Sequence, residues 1–144
     1  MATGKRVDPF LNYNFLVELD GITRAAFTEA TGLDATTEPV EYREGGENGT
    51  VRKLPGVTRY SNIVLRWGMT VDRELYDWHR QTVLGQVQRK DGSVIVLDRQ
   101  GVEVARWNFV NAWVTKYDAP DLNSTANAVA VESVELAHEG VERV

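Results

Sequence analysis

The sequence predicts a mostly β protein, an antiparallel β-barrel or sandwich with one flanking α-helix and a long extended loop between the third and fourth strands. Several stretches alternate apolar and polar residues with the period of two that is typical of strands. Residues 72–83 alone show helical spacing. The connection formed by residues 42–56 is far longer than the roughly two to five residues that a tight hairpin needs.

The amino-terminal part predicts three strands. In residues 10–20, apolar Tyr13, Phe15, Val17 and Leu19 alternate with polar neighbours, and a turn is expected at residues 20–21. Residues 25–33 and 36–43 are rich in Thr and aromatic residues, which favours two short strands. The long connection follows the third strand.

The middle of the chain predicts a strand followed by the single helix. In residues 59–67, Ile63, Leu65 and Trp67 fall on one side of a strand. In the helix, Leu75, Trp78, His79 and Thr82 form a narrow stripe, with Thr70 or Asp72 as the N-cap and an end near residues 84–85. A helix with so narrow an apolar stripe is expected to lie outside a sheet or to cap one end of a barrel.

The carboxy-terminal part predicts three more strands, at residues 93–97, 102–117 and 129–138, with turns at residues 91–92 and 98–101. About seven strands and one helix fit an antiparallel sheet that closes or nearly closes. Polar side chains recur on one face of several strands, which indicates a face in contact with water. The residues of this wet face are Asn14, Glu18, Glu132 and Glu135.

Length and composition fit a single domain over residues 1–144, in which residues 1–8 form a flexible amino-terminal segment. The chain contains no cysteine, which excludes thiol catalysis and thiolate metal sites. The net charge of −5 and the absence of basic blocks argue against nucleic-acid binding. No signal peptide or apolar run long enough to span a bilayer is present, so we expect synthesis and folding in the cytoplasm.

Motifs of catalysis or cofactor binding are absent from the sequence. His79 and His138 lie on different elements without companion ligands, and no serine-nucleophile motif occurs. Residues 45–50 resemble a phosphate-binding loop only superficially, because they lack the Lys-Ser/Thr ending and a following helix. We therefore expect no catalytic residue, no metal and no cofactor, and a protein that is not an enzyme.

Residues 43–56 are the strongest candidate for an interaction site, because a glycine-rich charged segment cannot bury itself. We expect this segment to project and to become ordered against another surface. The residues assigned to the contact are Arg43, Glu44, Gly45, Gly46, Glu47, Asn48, Gly49, Arg52, Lys53, Leu54 and Pro55.

Several segments, in this order and spacing, resemble the inner tail-tube proteins of contractile phage tails and of extracellular contractile injection systems. These segments are residues 8–9, 13–21, 27–33, 52–56, 60–65 and 75–78, and the resemblance extends to about residue 137. It implies a barrel-like subunit that forms homo-hexameric rings, which stack into a hollow tube. The tube would carry DNA or effector protein and cross a target envelope when a surrounding sheath contracts.

The resemblance also implies partners and roles. These are a contractile sheath protein, baseplate or tube-initiator and terminator proteins, and cargo in the lumen, with assembly in the bacterial cytoplasm and no direct membrane insertion. The segment 43–56 would contact a neighbouring subunit or ring, and the four wet-face residues are candidates for the lumen wall. Two alternatives stay open: a tube-initiator or baseplate-proximal paralogue, and a small-ligand-binding barrel lined by Trp67, Trp107 and Trp113.

Overall fold

The computed structural model describes residues 14–20, 22–24, 27–43, 45, 49–68, 73–125 and 130–144. This part of the chain contains ten strands and one helix. The strands are β1 (Asn14–Leu19), β2 (Ile22–Arg24), β3 (Phe27–Thr31), β4 (Ala35–Tyr42), β5 (Arg52–Tyr60), β6 (Ile63–Gly68), β7 (Lys90–Leu97), β8 (Glu103–Asp118), β9 (Val131–Ala137) and β10 (Gly140–Arg143), and the helix is α1 (Glu74–Val83).

Eight strands form the body, an antiparallel sheet in the order β2-β1-β7-β8-β9-β6-β3 with β10 added beside β8. Strand β8 is sixteen residues long: its first part pairs with β7 and β10, and its last part pairs with β9. One apolar core contains side chains from both halves of the sheet, so the two halves face each other across β8. Because no ladder joins β2 to β3 in the described residues, the barrel-like sandwich stays open.

The core follows from strand alternation. In β6, Ile63, Leu65 and Trp67 are buried, whereas the residues between them are more exposed, as the sequence predicts. Across the core, Val17 of β1 and Phe109 of β8 are also fully buried. Side chains at alternate positions thus fill the space between the halves of the sheet, and burial of apolar surface is the main stabilising term.

Gly92 allows β1, β7 and β8 to pack closely. A side chain at this position would collide with the Glu18 carbonyl, the Phe109 ring and the Leu19 side chain. The expected turn at residues 91–92 is wrong, because both residues lie inside β7, where Gly92 pairs with Leu19 and Phe109. The glycine signals a close approach of neighbouring groups at this point and not a change of chain direction.

Helix α1 packs on β8 through buried Leu75 and Trp78. The Trp78 indole N–H donates to the Gln88 carbonyl at 2.8 Å, which attaches the segment after the helix. The helix ends at Val83 in a Schellman arrangement, in which Gly85 adopts φ +83° and the Gln86 N–H donates to the Gln81 carbonyl. The described helix is too short and too polar to cross a membrane.

Strands β4 and β5 form a separate two-stranded sheet, here called the arm. All residues of both strands are exposed except Gly56, which is half-buried. The predicted long connection is therefore shorter than expected: Arg52, Lys53, Leu54 and Pro55 lie in β5, and residues 43–51 join the strands. Cross-strand pairing extends the ladder as far as the Tyr42–Arg52 pair. The glycines and charges of the segment do not indicate this pairing.

Other element boundaries also differ from expectation. The described helix starts at Glu74, after an N-cap residue, Arg73, that makes no side-chain cap bond; Thr70 and Asp72 lie outside the described residues, as does the segment 1–8. The predicted strand 25–33 is observed as β3, preceded by β2. The last predicted strand ends at Ala137, and a short turn leads into β10, which the sequence pattern does not separate from β9.

Candidate assembly surfaces

The arm leaves the body at a tightly packed root formed by residues 32–34 and 60–62. Gly32 adopts φ +88°, and a side chain there would fall on the Asn62 carbonyl. The Ser61 N–H donates to the Asp34 carbonyl at 3.4 Å, which joins the two chain segments where they enter the arm. Only glycine fits this conformation and this contact, so the sequence itself fixes where the arm begins.

His138 attaches the root to the body. Its Nε2 lies 2.8 Å from the Ser61 carbonyl, and since a carbonyl only accepts, Nε2 carries the proton and donates. The ring lies between Tyr60 and Phe109, with centroids 5.8 Å and 6.4 Å away. His138 therefore has a structural role at the arm root. The sequence, in which His138 has no companion ligands, does not indicate this role.

The pairing register gives the arm two different faces. On one face Val40 lies opposite Leu54 and Tyr42 lies opposite Arg52; we call these four residues the Tyr42 face. The opposite face, here the threonine face, places Thr37 beside Thr58 with their hydroxyls 2.9 Å apart, and Pro39 opposite Pro55. Apolar side chains thus concentrate on one face of the arm.

A bulge in the arm shapes the Tyr42 face. The register shifts between Thr37 and Pro39, and the extra residue falls in β5 near Gly56. A side chain at Gly56 would lie 2.8 Å from the Glu38 carbonyl and 2.9 Å from the Val40 side chain. Glycine therefore lets β5 pass close to Val40.

The turn at the far end of the arm contains the remaining predicted contact residues. Arg43, Gly45 and Gly49 are exposed, and Gly49 adopts φ +84°. Glu44, Gly46, Glu47 and Asn48 lie outside the described residues. Together with the four residues now placed in β5, the predicted contact set thus spans the outer half of the arm and its tip.

Two of the predicted lumen residues occupy positions of the same parity in β1. Asn14 and Glu18 are four residues apart, opposite in parity to the buried Val17. Glu18 lies opposite Ser93, whose hydroxyl lies 2.6 Å from Asn108 Oδ1 and donates to it.

Glu18 also borders an open polar groove of about 410 Å³ on this face of the sheet. The groove is lined by Glu18, Asp20, Asp91, Gly92, Ser93, Arg106, Asn108, Phe109 and Val110. Arg106 in turn contacts Glu103 at 2.6 Å, and this hydrogen bond raises the pKa of the guanidinium. This polar surface is part of the outside of the body.

The other two lumen candidates have different surroundings. Glu132 is only 6% exposed and accepts a hydrogen bond from the Tyr117 hydroxyl at 2.5 Å. Burial, followed by the Glu132 hydrogen bond, raises the pKa of Tyr117 to about 12. Glu132 shares its parity with core residues Val134 and Leu136, so the expectation that it lies on a wet face is wrong.

Glu135 lies on the opposite side of β9 from Glu132 and reaches the arm root. Its Oε1 accepts a hydrogen bond from the Asn62 side chain at 3.4 Å. The four acidic and amide candidates therefore do not form one surface: two lie on the β1 face, one is inside the body, and one supports the arm.

The structure also bears on the ligand-pocket alternative. Trp67 is buried in the core, edge-on to Phe27 with ring centroids 5.8 Å apart, whereas Trp107 lies outside that core cluster beneath the Arg143 guanidinium. In the part of the chain that the structure describes, the two tryptophans thus have separate contacts, Trp67 with Phe27 in the core and Trp107 with Arg143. Within the described residues, no group of three or more His, Cys, Asp or Glu side chains is placed to hold a metal ion.

The sequence profile of one family matches nearly the whole chain. The family is described as T4-like virus tail tube protein gp19, and the match covers residues 11–142. The chain belongs to this tail tube family. Strands β1 to β9, the helix and the arm all lie within the matched residues, and β10 extends one residue beyond them.

Solved structures of tail tube relatives have the same fold. A chain of the extracellular contractile injection system PVC, in a sheath-tube complex in the extended state, is 31% identical with a TM-score of 0.83, and the alignment covers 94% of this chain and 91% of that chain. A chain of the anti-feeding prophage cap is 30% identical with a TM-score of 0.87, covering 99% and 95%. A search of curated proteins gives no match.

A more distant likeness concerns the fold alone. Hcp1 from Flavobacterium johnsoniae is 19% identical with a TM-score of 0.63, and the alignment covers 90% of this chain and 94% of that chain. The mostly β tail tube fold with one helix is thus confirmed, and the chain is a tube protein of the contractile-injection type. The family is a structural one and contributes a component of a phage tail or injection particle.

Proposed function

We propose that this chain is the repeating subunit of a hollow inner tube, in which six copies form a ring and rings stack. The observation that carries the proposal is the arm, which extends from a tail tube body and exposes both faces to solvent. A two-stranded sheet alone is only marginally stable in water. Contact with another subunit would cover it, and heterologous contacts of this kind close into rings.

The tube would act as a conduit and as a projectile. DNA or effector protein would pass through the lumen, and contraction of a surrounding sheath would drive the tube through a target envelope. Support comes from the PVC relative, which was solved as a sheath-tube complex, and from the relatives solved with a terminator, a cap and a baseplate. Sheath, baseplate or initiator, and terminator proteins are therefore the proposed partners.

In this role the chain is a structural subunit and not an enzyme, with no cofactor and no direct insertion into a membrane. Assembly would take place in the bacterial cytoplasm. Asn14 and Glu18 are the proposed lumen residues, because they occupy β1 positions of the same parity, opposite to that of buried Val17. Glu135 is proposed to support the arm contact and not the lumen.

Electron microscopy of the purified chain tests the proposal. We expect rings that stack into tubes with a central channel as the protein concentration rises. A matched variant, here called the trimmed variant, replaces residues 40–54 by the flexible linker Gly-Ser-Gly-Ser, which spans the short distance between the paired Pro39 and Pro55 without needing the N–H that Pro55 lacks. This variant should remain folded, as judged by circular dichroism, and should form no tubes.

The same micrographs separate the alternatives. A tube-initiator paralogue would give single or few rings that elongate only when a second tube protein is added. A monomer at every concentration, with or without the sheath protein, would contradict the proposal. Normal tubes from the trimmed variant would contradict the role of the arm.

A further inference from the structure

Two prolines face each other in the middle of the arm. Pro39 lies directly opposite Pro55 in the β4–β5 ladder. Proline has no backbone N–H, so this pair cannot exchange hydrogen bonds and must be a non-hydrogen-bonded pair of the antiparallel ladder. In such a pair the N–H positions point away from the partner strand, toward the outer edges of the sheet.

Both edges of the arm therefore lack a donor at the same level. An added strand would meet a gap beside Pro39 on one edge and a gap beside Pro55 on the other. Prolines at edge strands are a common means by which proteins prevent strand addition. The edges of the arm are unsuited to pairing with a strand of another subunit, which leaves its faces as the contact surface.

The Tyr42 face is the apolar one. Val40 is 51% exposed, Tyr42 is 46% exposed and Leu54 is 49% exposed. On the threonine face, by contrast, the two threonine hydroxyls bond each other and Glu41 lies beside Lys53. A cluster of exposed large apolar side chains marks an interaction surface more strongly than scattered ones do.

The size of this face indicates which partner it meets. Eight residues at about 3.4 Å each and two strands make a face of roughly 300 Å². A stable pairwise interface needs about 800 Å² per partner. The arm alone is thus too small to hold a single soluble partner, but suffices in a repeating assembly where many contacts act together.

The distribution of charge along the chain favours a second copy of this protein as the partner of the arm. Residues 35–60 contain four acidic and four basic residues, so the net charge of −5 resides in the rest of the chain. Copies of an acidic protein repel each other, whereas a neutral arm can approach another copy without net repulsion.

We propose that the arm docks onto a second copy of this chain through the Tyr42 face, and that the prolines prevent docking by strand addition at its edges. This inference rests on the proposed tube function. It specifies how the arm engages its neighbour: Val40, Tyr42 and Leu54 become buried, while the outer edges of β4 and β5 stay unpaired.

A charge placed on each face in turn tests the inference. Leu54→Glu puts a carboxylate on the Tyr42 face, and Thr58→Glu puts one on the threonine face. We expect Leu54→Glu to raise the critical concentration for tube formation by about tenfold or more, because an unpaired charge is costly to bury. Thr58→Glu should assemble within about twofold of the wild type, since its charge lies on the face that the contact leaves in water.

Both substituted side chains are exposed in the subunit, so folding can be checked by intrinsic tryptophan fluorescence, to which the buried Trp67 and Trp78 contribute. Tubes from Leu54→Glu at the wild-type concentration would overturn the inference, as would an equal loss with Thr58→Glu. A wild-type chain that never assembles would overturn the proposed function as well. Wild-type tubes with unaffected Leu54→Glu would overturn this inference alone.

Hydrogen exchange resolved at single amides tests the edges. Glu41 pairs with Lys53 two positions from the prolines, so the amides of these two residues also point outward. We expect both amides to exchange at similar rates in tubes and in free subunits, to within about tenfold. Protection of either amide by about a hundredfold or more on assembly would show strand addition and overturn the inference.

Discussion

At the scale of single residues, the hydrogen bond between Tyr117 and the nearly buried Glu132 is a polar contact whose loss should lower stability. Glu132 is nearly buried on β9, and the Tyr117 hydroxyl on β8 donates to it at 2.5 Å. Tyr117 also meets the Tyr76 ring of α1 edge-on, with centroids 5.1 Å apart. The bond therefore joins two strands directly beneath the helix.

Removing the Tyr117 hydroxyl should destabilise the subunit. Tyr117→Phe removes the hydroxyl that donates to the nearly buried Glu132 carboxylate, and we expect a loss of about 1–3 kcal/mol in the free energy of unfolding. Urea denaturation measures this loss. The double variant Tyr117→Phe with Glu132→Leu should be less destabilised than the sum of the single variants. Additive effects would show that the two side chains do not depend on each other.

The same contact predicts a response to alkaline pH. The pKa of Tyr117 is raised from 10.0 to about 12 in the folded chain, chiefly by burial and then by the Glu132 bond. The neutral hydroxyl is thus favoured by folding, and its contribution is complete below the unfolded pKa and is lost as pH rises through the folded value. The stability difference between wild type and Tyr117→Phe should shrink between pH 10 and pH 12. An unchanged difference would contradict this assignment.

Local patterns in the sequence predict some of these residues and not others. The alternation of Ile63, Leu65 and Trp67 predicts their burial, because each neighbour along β6 has the opposite parity. Glu132 has the parity of a core residue, but its charge suggests water. The hydrogen bond from Tyr117, fifteen residues earlier in the chain, offsets part of the cost of burying the Glu132 carboxylate. The sequence does not indicate that pairing.

At the scale of elements, the arm depends on a glycine that brings its two strands together. Gly56→Ala would place a methyl group 2.8 Å from the Glu38 carbonyl and 2.9 Å from the Val40 side chain, which must displace one strand. We expect poorer assembly, by about threefold or more in critical concentration, with the body unchanged in stability, because the arm packs apart from the core.

Gly45→Ala is the matched control for this substitution. Among the described residues, apart from its own chain neighbours, no atom lies within 4 Å of the added methyl group at Gly45, so assembly should stay near the wild-type level. Sedimentation of tubes at several protein concentrations measures both variants. Equal assembly of the two variants would show that the bulge beside Val40 does not shape the contact.

The elements of the body were more predictable than those of the arm. Strict alternation and helical spacing predict β1, β6, β8 and α1, because one face of each packs on the core. The arm has no such constraint: both faces of β4 and β5 are exposed, so no apolar period indicates that residues 52–56 are a strand. Pairing alone sets those boundaries, and the glycines near the tip suggest a loop.

At the scale of the whole molecule, the body and the arm have separate tasks. The body buries one core across β8, and its root contacts at Gly32, Ser61 and His138 hold the arm in place. The arm adds no side chain to that core cluster. A subunit can therefore lose the arm and keep its fold, while its body still offers the surface that a neighbour's arm would contact.

This separation predicts that trimmed subunits poison assembly by the wild type. The trimmed variant should enter a growing ring through its body but, because it lacks the arm, should make no arm contact with the next subunit. In the proposed ring of six, each subunit would both give and receive a contact, so one defective copy would interrupt the ring or the stack. We expect tube length in micrographs to fall steeply when about one subunit in ten is trimmed, since the interruptions accumulate along the stack. Thr58→Glu mixed in the same ratio should leave tube length unchanged. If the trimmed chain is excluded and tubes keep their length, the body offers no receiving surface without an arm of its own, and the contact must involve two arms instead.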